Sequence, residues 1–165
     1  MLEGGAARAG VAGLADVLLD CVQGGASVSF MASLTRAEAE AFYEAACEDV
    51  AAGRRLLLAA FDGEELVGTV QVLLATPPNA PHRGEIAKFL VRQSARGRGI
   101  GAALMERAEA EARAAGKTLL VLDTASGAAD RIYTQLGWTR VGEVPGYALY
   151  PDGRPVATTF FYKRI

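Results

Sequence analysis

Arg96-Gly97-Arg98-Gly99-Ile100-Gly101 is the stretch that most constrains what this chain can fold into. It stands between the apolar run Phe89-Leu90-Val91 and an alanine-rich helical run ending at Gly116, and so marks the junction of a strand and a helix. Glycines at such a junction let the backbone approach an anion with no Cβ in the way. The first N–H groups of the helix then carry the positive end of its dipole toward that anion. A tight turn could ask for a glycine on its own account, but three glycines and two arginines within six residues read as a phosphate cradle.

The length of 165 residues is enough for one domain with a real core, and one domain over residues 1–165 is expected. With 17 basic against 19 acidic residues the formal charge is -2, so no overall field draws the molecule to nucleic acid or to an anionic membrane. Any basic residue at the cradle must act locally. The stretch from Met1 to Gly13 is small and mixed, and the apolar run after it is broken by Asp16 and Asp20. That pattern fits neither a signal peptide nor a membrane span, and a cytoplasmic protein is expected. Cys21 and Cys47 lie outside any CxxC or Cys/His spacing and read as buried thiols remote from the cradle. The only histidine, His82, sits in a proline-rich loop, which leaves no set of metal ligands.

Helical spacing of Leu14, Val17, Leu18 and Cys21 predicts a first helix near residues 11–22. Thr35 with Glu38 forms a capping box for a second helix that Gly53 closes. Arg54 to Phe61 and Leu66 to Leu74 flank the turn signal Asp62-Gly63 as a hairpin, and a third extended run, Glu85 to Val91, leads to the cradle. The long helix, Gly99 to Ala115, is expected to carry Arg107/Glu111 and Glu109/Arg113 as exposed pairs. A buried strand over 117–123, a helix over 126–136 and a hairpin of 139–149 with 156–163 complete the chain. This order predicts an α/β protein of the α+β type. Its mixed, mostly antiparallel sheet has one parallel pair beside the long helix and about four helices in all.

Two nucleotide-binding patterns compete for the cradle. Gly97, Gly99 and Ala102 satisfy a dinucleotide fingerprint, with Asp123 near the position of a ribose-binding acid. Against it, Arg92 to Arg96 intervene between the strand and the first glycine. Only about 40 residues follow Asp123, too few for the remaining βα units, and their pattern is a hairpin. A Walker loop is excluded by the absence of G-x-x-x-x-G-K-[ST].

A strand, a short loop and an R-x-x-G-x-G helix start, with Val91, Arg96, Gly99 and Gly101 in those places, resemble the acetyl-CoA-binding motif of the GCN5-related N-acetyltransferases (GNAT). Tyr133-Thr-Gln-Leu-Gly-Trp138 is similar to the same family's Y-x-x-x-G-F, with Trp138 in place of phenylalanine. The resemblance runs from about Glu85 to the C-terminus. It implies that Phe89, Leu90 and Val91 form a splayed strand pairing with the pantetheine arm of acetyl-CoA, and that Arg96, Gly97, Arg98, Gly99, Ile100 and Gly101 hold its phosphates. Ser126 stands where the family commonly has a pantetheine-contacting asparagine, and Ala87 where some members have a glutamate. Gly84-Glu-Ile-Ala-Lys-Phe-Leu-Val91, Gly146-Tyr-Ala-Leu149 and Thr158-Thr-Phe-Phe-Tyr-Lys163 further resemble the branch that includes the tabtoxin resistance acetyltransferase. That branch implies a small, amino-acid-like amine as acceptor.

Acetyl transfer from a thioester needs a neutral amine, a polarised carbonyl and a proton for the leaving thiolate. Tyr133 is the expected general acid, although an amphipathic helix could also hold it as a core residue. Candidates for the base are Glu85, then Asp123, then Asp130, and bulk water could serve in their place. Glu85 is expected to share a strand face with Ala87, Phe89 and Val91, by simple alternation. Tyr147 is the candidate for the acceptor pocket. With both cysteines away from the motifs, direct attack in a ternary complex is expected rather than a covalent intermediate. A CoA- or nucleotide-sensing module without catalysis, or a purely structural partner protein, would account for fewer of these residues. The late strands are where a homodimer would form.

Overall fold

The computed structural model describes residues 4–125 and 127–165. Its centre is one six-stranded sheet in the order β1-β2-β3-β4-β6-β5. The strands are β1 (Arg55–Asp62), β2 (Glu65–Leu73), β3 (Arg83–Val91), β4 (Leu119–Thr124), β5 (Thr139–Leu149) and β6 (Pro155–Arg164). Every neighbouring pair is antiparallel except β3 with β4. The crossover between those two is the long helix α4 (Ile100–Ala114), which a parallel pair requires.

Helix α1 (Gly4–Ala9), α2 (Val11–Gln23) and α3 (Arg36–Ala51) lie on one face of the sheet. On the other lie α4 and α5 (Gly127–Gln135). The strand alternation serves both layers. Leu57, Leu66 and Leu90 enter the core under α2 and α3, whereas Leu58, Val70, Val72, Leu120 and Leu122 enter the core under α4. The expected capping box is present: Glu38 N–H donates to Thr35 Oγ1 at 3.3 Å, and Thr35 N–H donates to Glu38 Oε2 at 2.8 Å. Among the described residues five α-helices are found where about four were expected; α1 is too short and too rich in glycine and alanine to leave a periodic signature.

Two expectations are corrected. Arg107 and Glu111 pair at the surface as expected, with Nε to Oε1 at 2.7 Å, but Glu109 is buried. Its Oε1 accepts from Trp138 Nε1 at 2.7 Å and its Oε2 from Lys163 Nζ at 2.6 Å. Those partners come from chain 29 and 54 residues away, beyond the reach of an i,i+4 rule. Glu85, for its part, does not share a face with Phe89 and Val91. The ladder pairs Gln71 with Ala87 and Thr69 with Leu90, so Lys88 and Phe89 together oppose Val70. This β-bulge shifts the alternation by one residue. Ile86, Phe89 and Val91 therefore point to the α4 side, while Glu85 and Leu90 point to the α2–α3 side.

Candidate active site

β3 and β4 are paired only over Arg83–Glu85 and Leu119–Val121, and beyond that point no ladder joins them. A cavity of about 720 Å³ lies where they part. Phe89, Leu90 and Val91 line it from β3, and Thr124 and Ala125 line it from the end of β4. One end is walled by Arg96, Gly97 and the segment Gly99 to Ala102, and the flank by Ile132 and Tyr133 of α5. The motif residues separated in sequence are thus brought around one space.

The glycines of the loop have distinct reasons. Gly99, the N-cap of α4, has φ of 80° in the left-handed region, where a Cβ would be strained. At Gly101 an added Cβ would come within 2.9 Å of Phe89 Cζ, so a side chain there would have to displace the Phe89 ring. Arg96 Nε donates to the Val91 carbonyl at 3.1 Å, which draws the loop back onto the strand end. Arg98 does not line the cavity; its Nη1 meets Asp62 Oδ2 at 2.7 Å, both half exposed. Ser126 lies outside the described residues.

Tyr133 is buried in a cage of rings, with centroids 6.0 Å from Phe89, 5.9 Å from Trp138 and 5.4 Å from Phe161. Burial, reinforced by the charges of Asp130 and Asp123, pushes its phenol well above the ordinary value. The group is therefore a proton holder, the state a general acid needs.

Across the sheet the picture differs. Glu85 and Asp123 are exposed on the α2–α3 side, and Asp123 Oδ2 accepts from Thr158 Oγ1 at 2.9 Å. Phe160 is the ladder partner of Asp123, and Tyr147 stacks edge-on against it at 5.5 Å. Tyr147 is half exposed and is not among the residues lining the large cavity; Tyr150 is. Ser27 Oγ donates to the Leu149 carbonyl at 2.7 Å and Ala32 N–H to the Pro151 carbonyl at 3.0 Å, which tie the loop after α2 to the late hairpin. Asp130 borders a separate, smaller cavity of about 240 Å³ with Glu143 and Thr159, and burial raises its carboxyl.

One of the two cysteines departs from its expected place away from the motifs. Cys47 is remote, but Cys21 lines the large cavity, its Sγ donating to the Val91 carbonyl at 3.5 Å with Arg96 Nη2 at 3.9 Å. Asp20 makes that approach: its carboxylate accepts from Gln93 N–H at 2.8 Å, locking the end of α2 to the turn after β3. Burial raises the Cys21 thiol against the pull of Arg96, so the thiolate that nucleophilic catalysis needs is disfavoured. Among the described residues no group of three or more His, Cys, Asp or Glu side chains could hold a metal ion. No helix among them is long and apolar enough to cross a membrane.

The strand pair parts over a glycine-rich helix start, with buried Tyr133 on the flank. Residues 25–138 match the model of the Acetyltransferase (GNAT) family, and the chain belongs to that family of acetyltransferases. Solved structures bear out the fold. The ribosomal-protein-alanine N-acetyltransferase of Brucella melitensis matches with a TM-score of 0.81 at 21% identity over 96% of both chains. The phosphinothricin acetyltransferase of Sinorhizobium meliloti, solved with acetyl-CoA, matches with 0.80 at 18% identity over 96% of this chain and 84% of its own. The yncA protein of Salmonella typhimurium, solved with its cofactor acetyl-CoA, matches with 0.79 at 21% identity over 95% of this chain and 89% of its own.

Proposed function

We propose that the chain is one N-acetyltransferase domain over residues 1–165, moving an acetyl group from acetyl-CoA to the primary amine of a small, amino-acid-like acceptor. The observation that carries this reading is the cavity between the parted strands, with the glycine loop at one end and Tyr133 on its flank. The neighbours solved with acetyl-CoA support the donor, and the phosphinothricin acetyltransferase neighbour supports a small acceptor of the kind the tabtoxin resistance branch implies.

In this reading Phe89 to Val91 pair with the pantetheine arm, and Arg96 to Gly101 receive the phosphates through backbone N–H groups and Arg96. Arg98 reaches a phosphate only by leaving Asp62. The amine loses its proton to Glu85 or Asp123, directly or through water. Its nitrogen attacks the thioester carbonyl, whose oxygen is held by a backbone N–H near Val91. The C–S bond then breaks, and the thiolate takes a proton from Tyr133. As the amide forms, the nitrogen sheds its second proton to solvent and Tyr133 takes one back from solvent; the products are the N-acetyl amine and free CoA. Tyr147 lies at the acceptor side.

Incubation with acetyl-CoA and a panel of small primary amines, followed by free-thiol release and mass spectrometry of the products, tests the reading. Acetylated amine supports it. Tight acetyl-CoA binding without turnover of any amine would instead assign a sensing module.

A further inference from the structure

Ser29 and Lys88 are, among the described residues, the two non-glycine positions in the left-handed region, with φ of 75° and 47°. They lie 59 residues apart in the chain, yet Lys88 Nζ donates to Ser29 Oγ at 3.0 Å. Two strained backbones meeting in one hydrogen bond show that the surrounding structure over-determines the position of this ammonium. Lys88 sits in the β3 bulge with cavity-lining Phe89; Ser29 follows cavity-lining Val28.

The ammonium is half-buried and lies 5.9 and 5.7 Å from the ring centroids of Phe30 and Phe42. Among the described residues it has no ion-pair partner within 4.0 Å; a neutral hydroxyl is its hydrogen-bond acceptor. Burial and the nearby Arg55 lower its proton affinity, while Asp123 and Glu85 act on it from the same face to raise it. A cation withdrawn from water in this way leaves hydrogen-bonding capacity that an anion can fill. The arrangement places a positive group beside two carboxylates on the face opposite Tyr133, the complement of a zwitterion.

We propose that Lys88 is an anion-binding residue of the acceptor site, taking a carboxylate of the acceptor while Glu85 and Asp123 face its amine. This rests on the acetyl-transfer reading above for the identity of the face. It adds that an acceptor amine carrying a carboxylate is preferred to the same amine without one, and that Lys88 sets the preference.

The test uses L-amino acids against their C-terminal amides, with wild type, K88Q and K88R. In the wild type, kcat/KM for the acid should exceed that for the amide by about 10- to 100-fold, the size of a hydrogen bond to a charged group. K88Q should collapse that ratio to near one, mainly through KM of the acid, and K88R should restore part of it. A binding arm runs without turnover: in the presence of CoA, the acids should raise the melting temperature of the wild type and not of K88Q. An equal loss toward acid and amide in K88Q, or a wild type that takes amides as readily as acids, overturns the proposal. So does the absence of any acid-induced shift. If acids bind in a Lys88-dependent way and no acetyl product forms, the anion site stands and the acetyl-transfer reading fails.

Discussion

Removing Glu109 would test how Tyr133 is held. Its two carboxylate oxygens satisfy Trp138 Nε1 at 2.7 Å and Lys163 Nζ at 2.6 Å, with the Glu109 side chain 9% and the Lys163 side chain 22% exposed. In Glu109→Ala the buried indole N–H loses its acceptor, which costs about 1–3 kcal/mol. Lys163 keeps only the Leu136 carbonyl at 2.6 Å, and the loss of a charged hydrogen bond to a mostly buried ammonium adds about 2 kcal/mol. Together the loss is about 3–5 kcal/mol, a large part of the roughly 5–15 kcal/mol that holds a domain folded. Urea unfolding followed by tryptophan fluorescence reads the change, since Trp138 is the single tryptophan. At an m-value of about 2 kcal/mol per M the midpoint should fall by roughly 1.5–2.5 M. The double variant Glu109→Met with Lys163→Met should recover the part due to the stranded ammonium, because an apolar pair leaves no charge unpaired, while the indole N–H still lacks its acceptor. A drop under about 1 kcal/mol in Glu109→Ala, or a double variant as unstable as the sum of the singles, would refute the view that this pair clamps Trp138 against Tyr133.

Tyr133→Phe should lower kcat by about 10²- to 10⁴-fold while acetyl-CoA affinity moves little, as measured by steady-state kinetics and calorimetry; an unchanged kcat removes the tyrosine from the chemistry. Gly99→Ala places a Cβ at φ 80° and should destabilise by about 1–2 kcal/mol in urea titration and raise KM for acetyl-CoA. Arg98→Ala breaks a half-exposed pair with Asp62 and should change stability by less than about 1 kcal/mol; its effect on KM for acetyl-CoA then reports any phosphate contact on its own. Burial raises the phenols of Tyr43 and Tyr133 in the folded protein, so their stabilising contribution is complete below the unfolded value near 10 and is lost as pH climbs above it. Alkaline titration at 295 nm should accordingly find two of the five tyrosines ionising only as the protein unfolds.

The strands, α3 and α4 were legible because their signals are local: the Thr35–Glu38 box, the Asp62-Gly63 turn and the glycines before α4 all act within a few residues. That Phe89 to Val91 and most of the Arg96 to Gly101 loop face one space was suggested by the same local signals, since they lie close together in the chain. What escaped was set by long-range packing. No glycine or proline marks the bulge at Lys88, so alternation carried Glu85 to the wrong face. Cys21 reaches Val91 only because Asp20 docks α2 onto Gln93, a contact 73 residues apart in the chain. Glu109 looked like half of a surface pair until Trp138 and Lys163 closed over it. Lys88 and Ser29 carry no signature alone; their meaning lies in their meeting.

The one-residue bulge in β3 has an evolutionary reading. By reversing the alternation midway, it sends Phe89 and Val91 toward α4 and leaves Glu85 and Lys88 on the opposite surface of the same strand. A single strand thus serves two masters without sharing a side chain between them. On the acetyl-transfer reading proposed above, substitutions at 85 and 88, or at 123 of β4 and 160 of β6, would retune the choice of acceptor while the donor side stays as it is. Such a partition would let one scaffold diversify in its substrates by drift on one surface alone.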